Sequence, residues 1–395
     1  MFETGCIVVG AGVIGLAVAR RLALNGRDVV VLERASNIGT ETSSRSNEVI
    51  HAGIYYRTGG PQAVLCVQGR EALLAYCAEH GVRHEQIGKL IVASDRESVE
   101  WLEGLHARAV ANGALGLEMI SGEAASRMEP NLLCCAAMHS PRTCIVDTHG
   151  LMLAYRGDAE SSGAAIALRS AFVGARRLNG GFEVEFTSVS AERTRMKCEL
   201  LVNAAGIWAP QVAGAIEGMS RERIPHINLA KGCFFKLRGK APFRRLIIPE
   251  PKIWRKGGIF TLDLANSGRF GPDQEWVDKV DYGVEGRSTD EVYAMVRRYF
   301  PALPDGSLTP DYAGIRPRLH GPDMAPADWL FQGEREHGIR GLLNLYGFET
   351  PGITASLAVA EVVADMLDGR APPFEVDPTQ YGTYRPPELA EQQTP

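Results

Sequence analysis

Gly10-Ala11-Gly12-Val13-Ile14-Gly15 puts three glycines where a chain turning from strand into helix needs them. In this spacing Gly10 makes the tight turn, Gly12 lets the backbone approach a pyrophosphate, and Gly15 lets helix and strand pack closely. The helix beginning at Val13 then offers free N–H groups and the positive end of its dipole, so Val13 and Ile14 join the glycines at the phosphates. Glu33 closes the next apolar run 18 residues after Gly15. A carboxylate there can hold both hydroxyls of an adenosine ribose and repels a 2′-phosphate. Helix packing alone is the competing reading of the glycines, but the flanking elements suit the nucleotide.

Those residues require a βαβ unit, and the chain reads as one. Residues 6–9 form an apolar strand, a helix runs from 13 to about 25 with Gly26 as its stop, and a second strand covers 28–33. Pro61 opens an amphipathic helix with Ala63, Val67, Leu73, Leu74 and Cys77 on its apolar side, ending at Gly81. Residues 88–94 read as a strand of a different sheet, with helices near 97–112 and 148–162. The apolar run 199–205 predicts a buried strand delivering Asn203-Ala204-Ala205-Gly206 to a tight turn, where small side chains admit a cofactor close to the backbone. From about 224 to 310 the texture is one of short alternating strands, which predicts an antiparallel sheet with a helix near 290–299. A strand at 341–346 and an apolar helix at 354–367, stopped by Gly369, complete the pattern, and the last stretch, rich in Pro, Glu and Gln, reads as a disordered tail.

Composition excludes several classes. At 395 residues, with 45% hydrophobic and 23% charged content, the chain is an ordinary globular protein of two or three domains at roughly 150 residues each. A net charge of -5, from 42 basic against 47 acidic residues, gives no global positive field, so no nucleic-acid partner is expected and a small molecule is. The eight cysteines are scattered without C-x-x-C or zinc-type spacing, so reduced thiols and no metal are expected. The amino terminus lacks the basic and apolar regions of a signal peptide, and no apolar run approaches the ~20 residues of a membrane span. A cytoplasmic protein without a transmembrane segment is expected, with peripheral contact at the inner membrane left open.

Ser43-Ser44-Arg45-Ser46-Asn47-Glu48 is a polar loop about ten residues beyond the ribose acid, followed by Val49-Ile50-His51-Ala52-Gly53-Ile54-Tyr55-Tyr56. A nicotinamide enzyme has no evident need for this block. With it the sequence resembles the D-amino-acid oxidase superfamily of FAD-dependent oxidoreductases, and within it the L-2-hydroxyglutarate dehydrogenase/oxidase branch. Further matches span nearly the whole chain: Leu65-Cys66-Val67, Gly69-Arg70, Asn203 to Ala209, Arg269-Phe270-Gly271-Pro272, Tyr312 to Pro317, and Pro351 to Leu357. The resemblance implies an α/β protein with a Rossmann-like FAD-binding domain built from residues 1–82, 146–219 and 313–380. It also implies an inserted, mainly antiparallel substrate-binding sheet built from 83–145 and 220–312, with the active site where the two meet and a disordered tail at 381–395.

It further implies FAD contacts from Arg34, Ser43, Ser44, Arg45, Asn47, Ala52, Gly53, Val173, Ala204, Ala205, Gly206 and Trp208. In Gly347-Phe348-Glu349-Thr350-Pro351-Gly352-Ile353-Thr354, backbone N–H groups and the helix dipole would face the negative charge of reduced flavin; an ordinary Pro-led helix start is the alternative. His51 would lie beside the isoalloxazine ring, where a near-neutral imidazole takes the hydroxyl proton while hydride leaves the substrate carbon. A covalent flavin link and a structural histidine remain as alternatives. Arg316 resembles the arginine that holds a substrate α-carboxylate bidentately, with an ion pair to a nearby acid as the plainer reading. Tyr55, Tyr56, Lys231 and Phe235 would contact substrate, while Ile259 stands where the branch carries a histidine. The implied reaction is oxidation of an L-2-hydroxy acid. An amino-acid or secondary-amine oxidase and an electron-relay flavoprotein are the other readings, and oxygen, a quinone or an electron-transfer protein could be the acceptor.

Overall fold

The computed structural model describes residues 2–188, 190 and 192–374; the expected tail at 381–395 lies outside the described residues. Among these, strands and helices build an α/β fold around two large sheets.

The first sheet has eight strands. Its parallel centre starts at Phe2–Val9, pairs with Val29–Leu32 on one side and with Arg193–Asn203 on the other, and extends through Leu342–Tyr346. Val29–Leu32 pairs on its far side with Ala165–Ala167. The long strand Arg193–Asn203 serves two neighbours besides Phe2–Val9. Its first half pairs antiparallel with Gly181–Thr187, and its last residues pair with Leu342–Tyr346. Helices Val13–Leu24, Pro61–Glu79, Thr148–Ser161 and Gly352–Leu367 pack together over this sheet, and their apolar faces share one core with Val8, Val31 and Val202. The carboxyl ends of four parallel strands therefore fall side by side, at Val9, Leu32, Asn203 and Tyr346. Ligands of open α/β sheets bind at such ends.

The second sheet has nine strands, almost all antiparallel; Lys89–Ala93 and Leu246–Pro249 make its parallel pair. Its spine is the antiparallel pairing of Asn228–Leu237 with Leu308–Arg318, and Phe235, Phe260, Phe270 and Tyr299 fill the core behind it. Leu308–Arg318, paired with Asn228–Leu237 from end to end, also touches the loop around residues 42–46. There Thr42 Oγ1 donates to the Ile315 carbonyl at 3.0 Å and the Tyr312 hydroxyl donates to the Ser46 carbonyl at 2.6 Å. A third sheet of three short strands joins Val49–Ile50, Cys144–Val146 and His84–Gln86, so the strand ending just before His51 is anchored by a neighbour outside both large sheets. No helix among the described residues is long and apolar enough to cross a membrane.

Candidate active site

The glycine turn forms as its spacing requires. Gly10 sits at φ +105, its N–H donates to the Leu32 carbonyl at 2.8 Å, and the Ala204 N–H donates to the Val9 carbonyl at 2.9 Å, stitching three strand ends together. A Cβ on Gly15 would lie 1.9 Å from the Gly10 carbonyl oxygen, which is why helix and turn can close only around glycine. The carboxylate of Glu33 is held across this turn, accepting from Ala11 N and Ala35 N, each at 2.8 Å. Ser43 Oγ accepts from Val13 N at 3.0 Å, so the loop of residues 42–45, a short 3-10 turn, lies directly on the first helical residues.

A cavity of about 320 Å³ opens at these strand ends. Its wall includes Glu33, Arg34, Val173 and Trp208, the turn residues Gly10, Gly12, Ser43 and Ala205, and His51, Arg316, Phe348 and Ile353. Val13, Ile14, Arg45, Asn47, Ala204, Gly206, Glu349, Pro351 and Gly352 also face it. The Arg34 guanidinium lies 4.2 Å from the ring centre of Trp208, whose Nε1 is buried without a partner. Arg34 also pairs with Glu41 at 2.6 Å, and Glu41 takes a hydrogen bond from the Tyr282 hydroxyl, while Arg45 stacks 3.9 Å over the Tyr282 ring. Tyr282 is thus tied to two residues of the cavity wall, Glu41 and Arg45.

Not every expected residue reaches the cavity. Gly15 and Gly347 act behind it in the backbone, and Ser44, Ala52 and Gly53 do not line it. Thr354 is fully buried, where its Oγ1 accepts from the His51 N–H at 2.9 Å and donates to the Val49 carbonyl at 3.4 Å. Its place in the structure is to pin the His51 backbone to the final helix. Lys231 and Phe235 lie off the cavity: Lys231 pairs with Asp281 at 2.8 Å, and Phe235 is buried in the core. Pleating turns Gly232 and Phe234 to the cavity instead. Tyr55 and Tyr56 stand back from the wall with buried, unpartnered hydroxyls, and Ile259 is not part of the lining.

His51 and Arg316 do share the wall. Burial, with the charges of Lys89 and Arg316, pushes the His51 imidazole down to about 3, so the ring is neutral at physiological pH rather than near its midpoint as the sequence suggested. Its Nδ1 is buried without a hydrogen-bond partner. Arg316 approaches Glu349 at 3.5 Å through Nε, and Arg318 reaches the same Glu349 oxygen at 3.3 Å. Burial pulls the Arg316 guanidinium below its ordinary range, and Glu349 opposes that shift. Arg316 therefore makes the ion pair of the plainer reading through Nε, and among the described residues no hydrogen bond occupies its terminal nitrogens. Glu349, expected at the cofactor, has its carboxylate on these two arginines.

The residues present fit a flavin dinucleotide. A glycine turn that lacks Cβ atoms, a carboxylate at the ribose position and buried unpartnered donors on Trp208 and Arg45 lie along one wall. Fold and cavity together define a dinucleotide-dependent oxidoreductase. The chain belongs to the family described as DAO, FAD dependent oxidoreductase, which matches residues 6–366, and FAD is its cofactor. It is 41% identical to the L-2-hydroxyglutarate dehydrogenase, mitochondrial, of Arabidopsis thaliana over 91% of this chain and 82% of that protein. It is 30% identical to the human protein of the same name over 92% and 88%. Among solved structures, the FAD-bound, dithionite-reduced L-alpha-glycerophosphate oxidase of Mycoplasma pneumoniae superposes with a TM-score of 0.83 at 21% identity, covering 98% of this chain and all of that one. That likeness establishes the shared fold.

Proposed function

We propose that this protein oxidises L-2-hydroxyglutarate to the 2-oxo acid. What carries the reading is the pairing of a neutral, unpartnered histidine with a half-free arginine on one cavity wall, in a chain close in sequence to the plant enzyme. The fork of Arg316 takes the substrate α-carboxylate, and Glu349, itself paired with Arg318, holds the guanidinium through Nε. The substrate carbinol then lies at His51, whose imidazole accepts the hydroxyl proton. FAD, when bound, supplies the acceptor for the hydride leaving the same carbon. We read the eight-stranded sheet with its helices (1–82, 146–219 and 313–380) as the cofactor unit and the nine-stranded sheet (83–145 and 220–312) as the substrate unit. The dehydrogenase names of the relatives favour a quinone or an electron-transfer protein over oxygen as final acceptor. The test is product analysis with an artificial electron-accepting dye: one 2-oxoglutarate should form per two electrons transferred, and release of ammonia from an amino acid instead would overturn the reading.

Arg316→Met should raise the Michaelis constant on the order of 10²-fold, the scale of one lost charge-assisted pair, with a smaller fall in kcat from poorer alignment. Glu349 keeps Arg318 as partner in the variant, so folding and FAD content should hold. Steady-state kinetics with L-2-hydroxyglutarate checks the split; a fall in kcat at constant Michaelis constant would place Arg316 elsewhere in the reaction.

A further inference from the structure

Glu41, Thr42, Ser43 and Arg45 line the cavity and are only half-buried, so their loop has one side toward the cofactor cradle and the other outward. Ser43 joins it to the first helix through Val13 N. The nine-stranded sheet reaches the same loop at two places. Leu308–Arg318 does so through the Ile315 and Ala313 carbonyls, which accept from Thr42 Oγ1 at 3.0 Å and from Arg45 Nη1 at 3.2 Å. The other is Tyr282, in the irregular segment between the strand Glu275–Val277 and the helix Asp290–Val296. Its hydroxyl donates to the Glu41 carboxylate and its ring carries the Arg45 guanidinium, so one side chain grips both ends of the short turn Thr42–Arg45. Tyr282 is staked on either side. Before it, Asp281 pairs with the buried Lys231 at 2.8 Å; after it, Arg287 pairs with Glu275 and, at 3.5 Å, with Asp273. Burial and the Glu41 carboxylate push the Tyr282 hydroxyl above its ordinary range, so it remains a donor. Tyr282 is not part of the cavity lining and meets the cofactor site only through these partners. Glu41 carries the contact inward, because it pairs with Arg34, whose guanidinium lies over Trp208.

We infer that Tyr282 is a positioning residue for FAD: acting through Glu41 and Arg45, it keeps the loop of residues 41–45 closed on the cofactor and slows its release. The nine-stranded sheet thereby governs retention of a cofactor whose glycine turn and ribose acid belong to the other sheet. Without the tyrosine, the loop opens against its remaining contacts alone. With it, a charge-assisted hydrogen bond and a cation–π contact must break first. The inference concerns the cofactor and holds whichever acid is oxidised.

The test is the rate of release. Holoprotein loaded with radiolabelled FAD is chased with excess unlabelled FAD, and the label retained is followed in time. Tyr282→Phe, which keeps the ring and deletes the hydroxyl, should release FAD about 10-fold faster. Tyr282→Leu, which loses the Arg45 contact as well, should release it on the order of 30-fold faster. Glu41→Gln should also speed release. The double variant with Tyr282→Phe should be no faster than Glu41→Gln alone, because two partners in one contact are not additive. A merely structural tyrosine would lower thermal melting and leave the release rate where it was. Equal release rates in wild type and Tyr282→Phe, no release from either included, therefore overturn the inference whatever melting does. Effects of Tyr282→Phe and Glu41→Gln that multiply in the double variant overturn it too, since the tyrosine would then not act through Glu41.

Discussion

His51→Gln should slow substrate-driven flavin reduction by roughly 10²–10⁴-fold while substrate binding changes little, the magnitude of a lost general base. Glutamine preserves the backbone N–H that donates to Thr354, so the variant isolates the ring from the anchoring of the segment. The pH profile is an independent signature. Only the neutral imidazole can accept the hydroxyl proton, so the reduction rate falls as pH drops through the histidine pKa. Burial and the repulsion of Lys89 and Arg316 put that value near about 3 in the free protein, which predicts a reduction rate flat through neutrality. A carboxylate bound against Arg316 offsets part of the repulsion, so the acidic limb should move to higher pH in the substrate complex, and it should vanish in His51→Gln. Stopped-flow reduction across pH measures both. A covalent flavin link makes a contrasting forecast: acid precipitation would leave yellow flavin with wild type and release it from the variant. If the variant reduces at the wild-type rate and both proteins release FAD freely, the residue is structural.

Gly12→Val should yield folded, colourless protein. A Cβ at Gly12 meets only Ser43 Oγ, at 3.1 Å, so the backbone there tolerates a side chain with a small adjustment. The branched methyls, however, enter the cavity at the phosphate position. Gly15→Ala provides the contrast, because its Cβ would collide with the Gly10 carbonyl at 1.9 Å and must displace the helix, losing stability together with the cofactor. Flavin absorbance per protein, read beside thermal melting, separates the two. Stoichiometric FAD in a folded Gly12→Val variant would remove the pyrophosphate from this turn.

How far the sequence could be read depended on whether a residue's burial was visible in its neighbours. The first βαβ unit was legible because glycines, apolar runs and Glu33 all point to one arrangement. Its strand nonetheless begins at Phe2 rather than at residue 6, since Phe2 and Glu3 are exposed and enter the strand only by pairing with Met196 and Lys197. Arg193–Asn203 was seen only in its apolar second half; Arg193 and Arg195 hid the first half, and they lie exposed, paired with Glu185 across the sheet. The hairpin of Phe172–Leu178 and Gly181–Thr187 carried its own signal, Asn179-Gly180, a dipeptide suited to a two-residue turn. At the cavity, Lys231 and Phe235 were named where Gly232 and Phe234 line it. A strand's period of two means that a choice one residue off selects the opposite face. The burial of Lys89 gave no signal at all, because nothing local distinguishes a lysine that snorkels from one that is enclosed.

The central claim is tested most directly by mixing the purified yellow protein, without oxygen, with 2-hydroxy and 2-amino acids one at a time and following the flavin absorbance. The account predicts that L-2-hydroxyglutarate bleaches the flavin within the mixing experiment and that its D enantiomer does not. Bleaching by 2-amino acids with no response to any 2-hydroxy acid would contradict it.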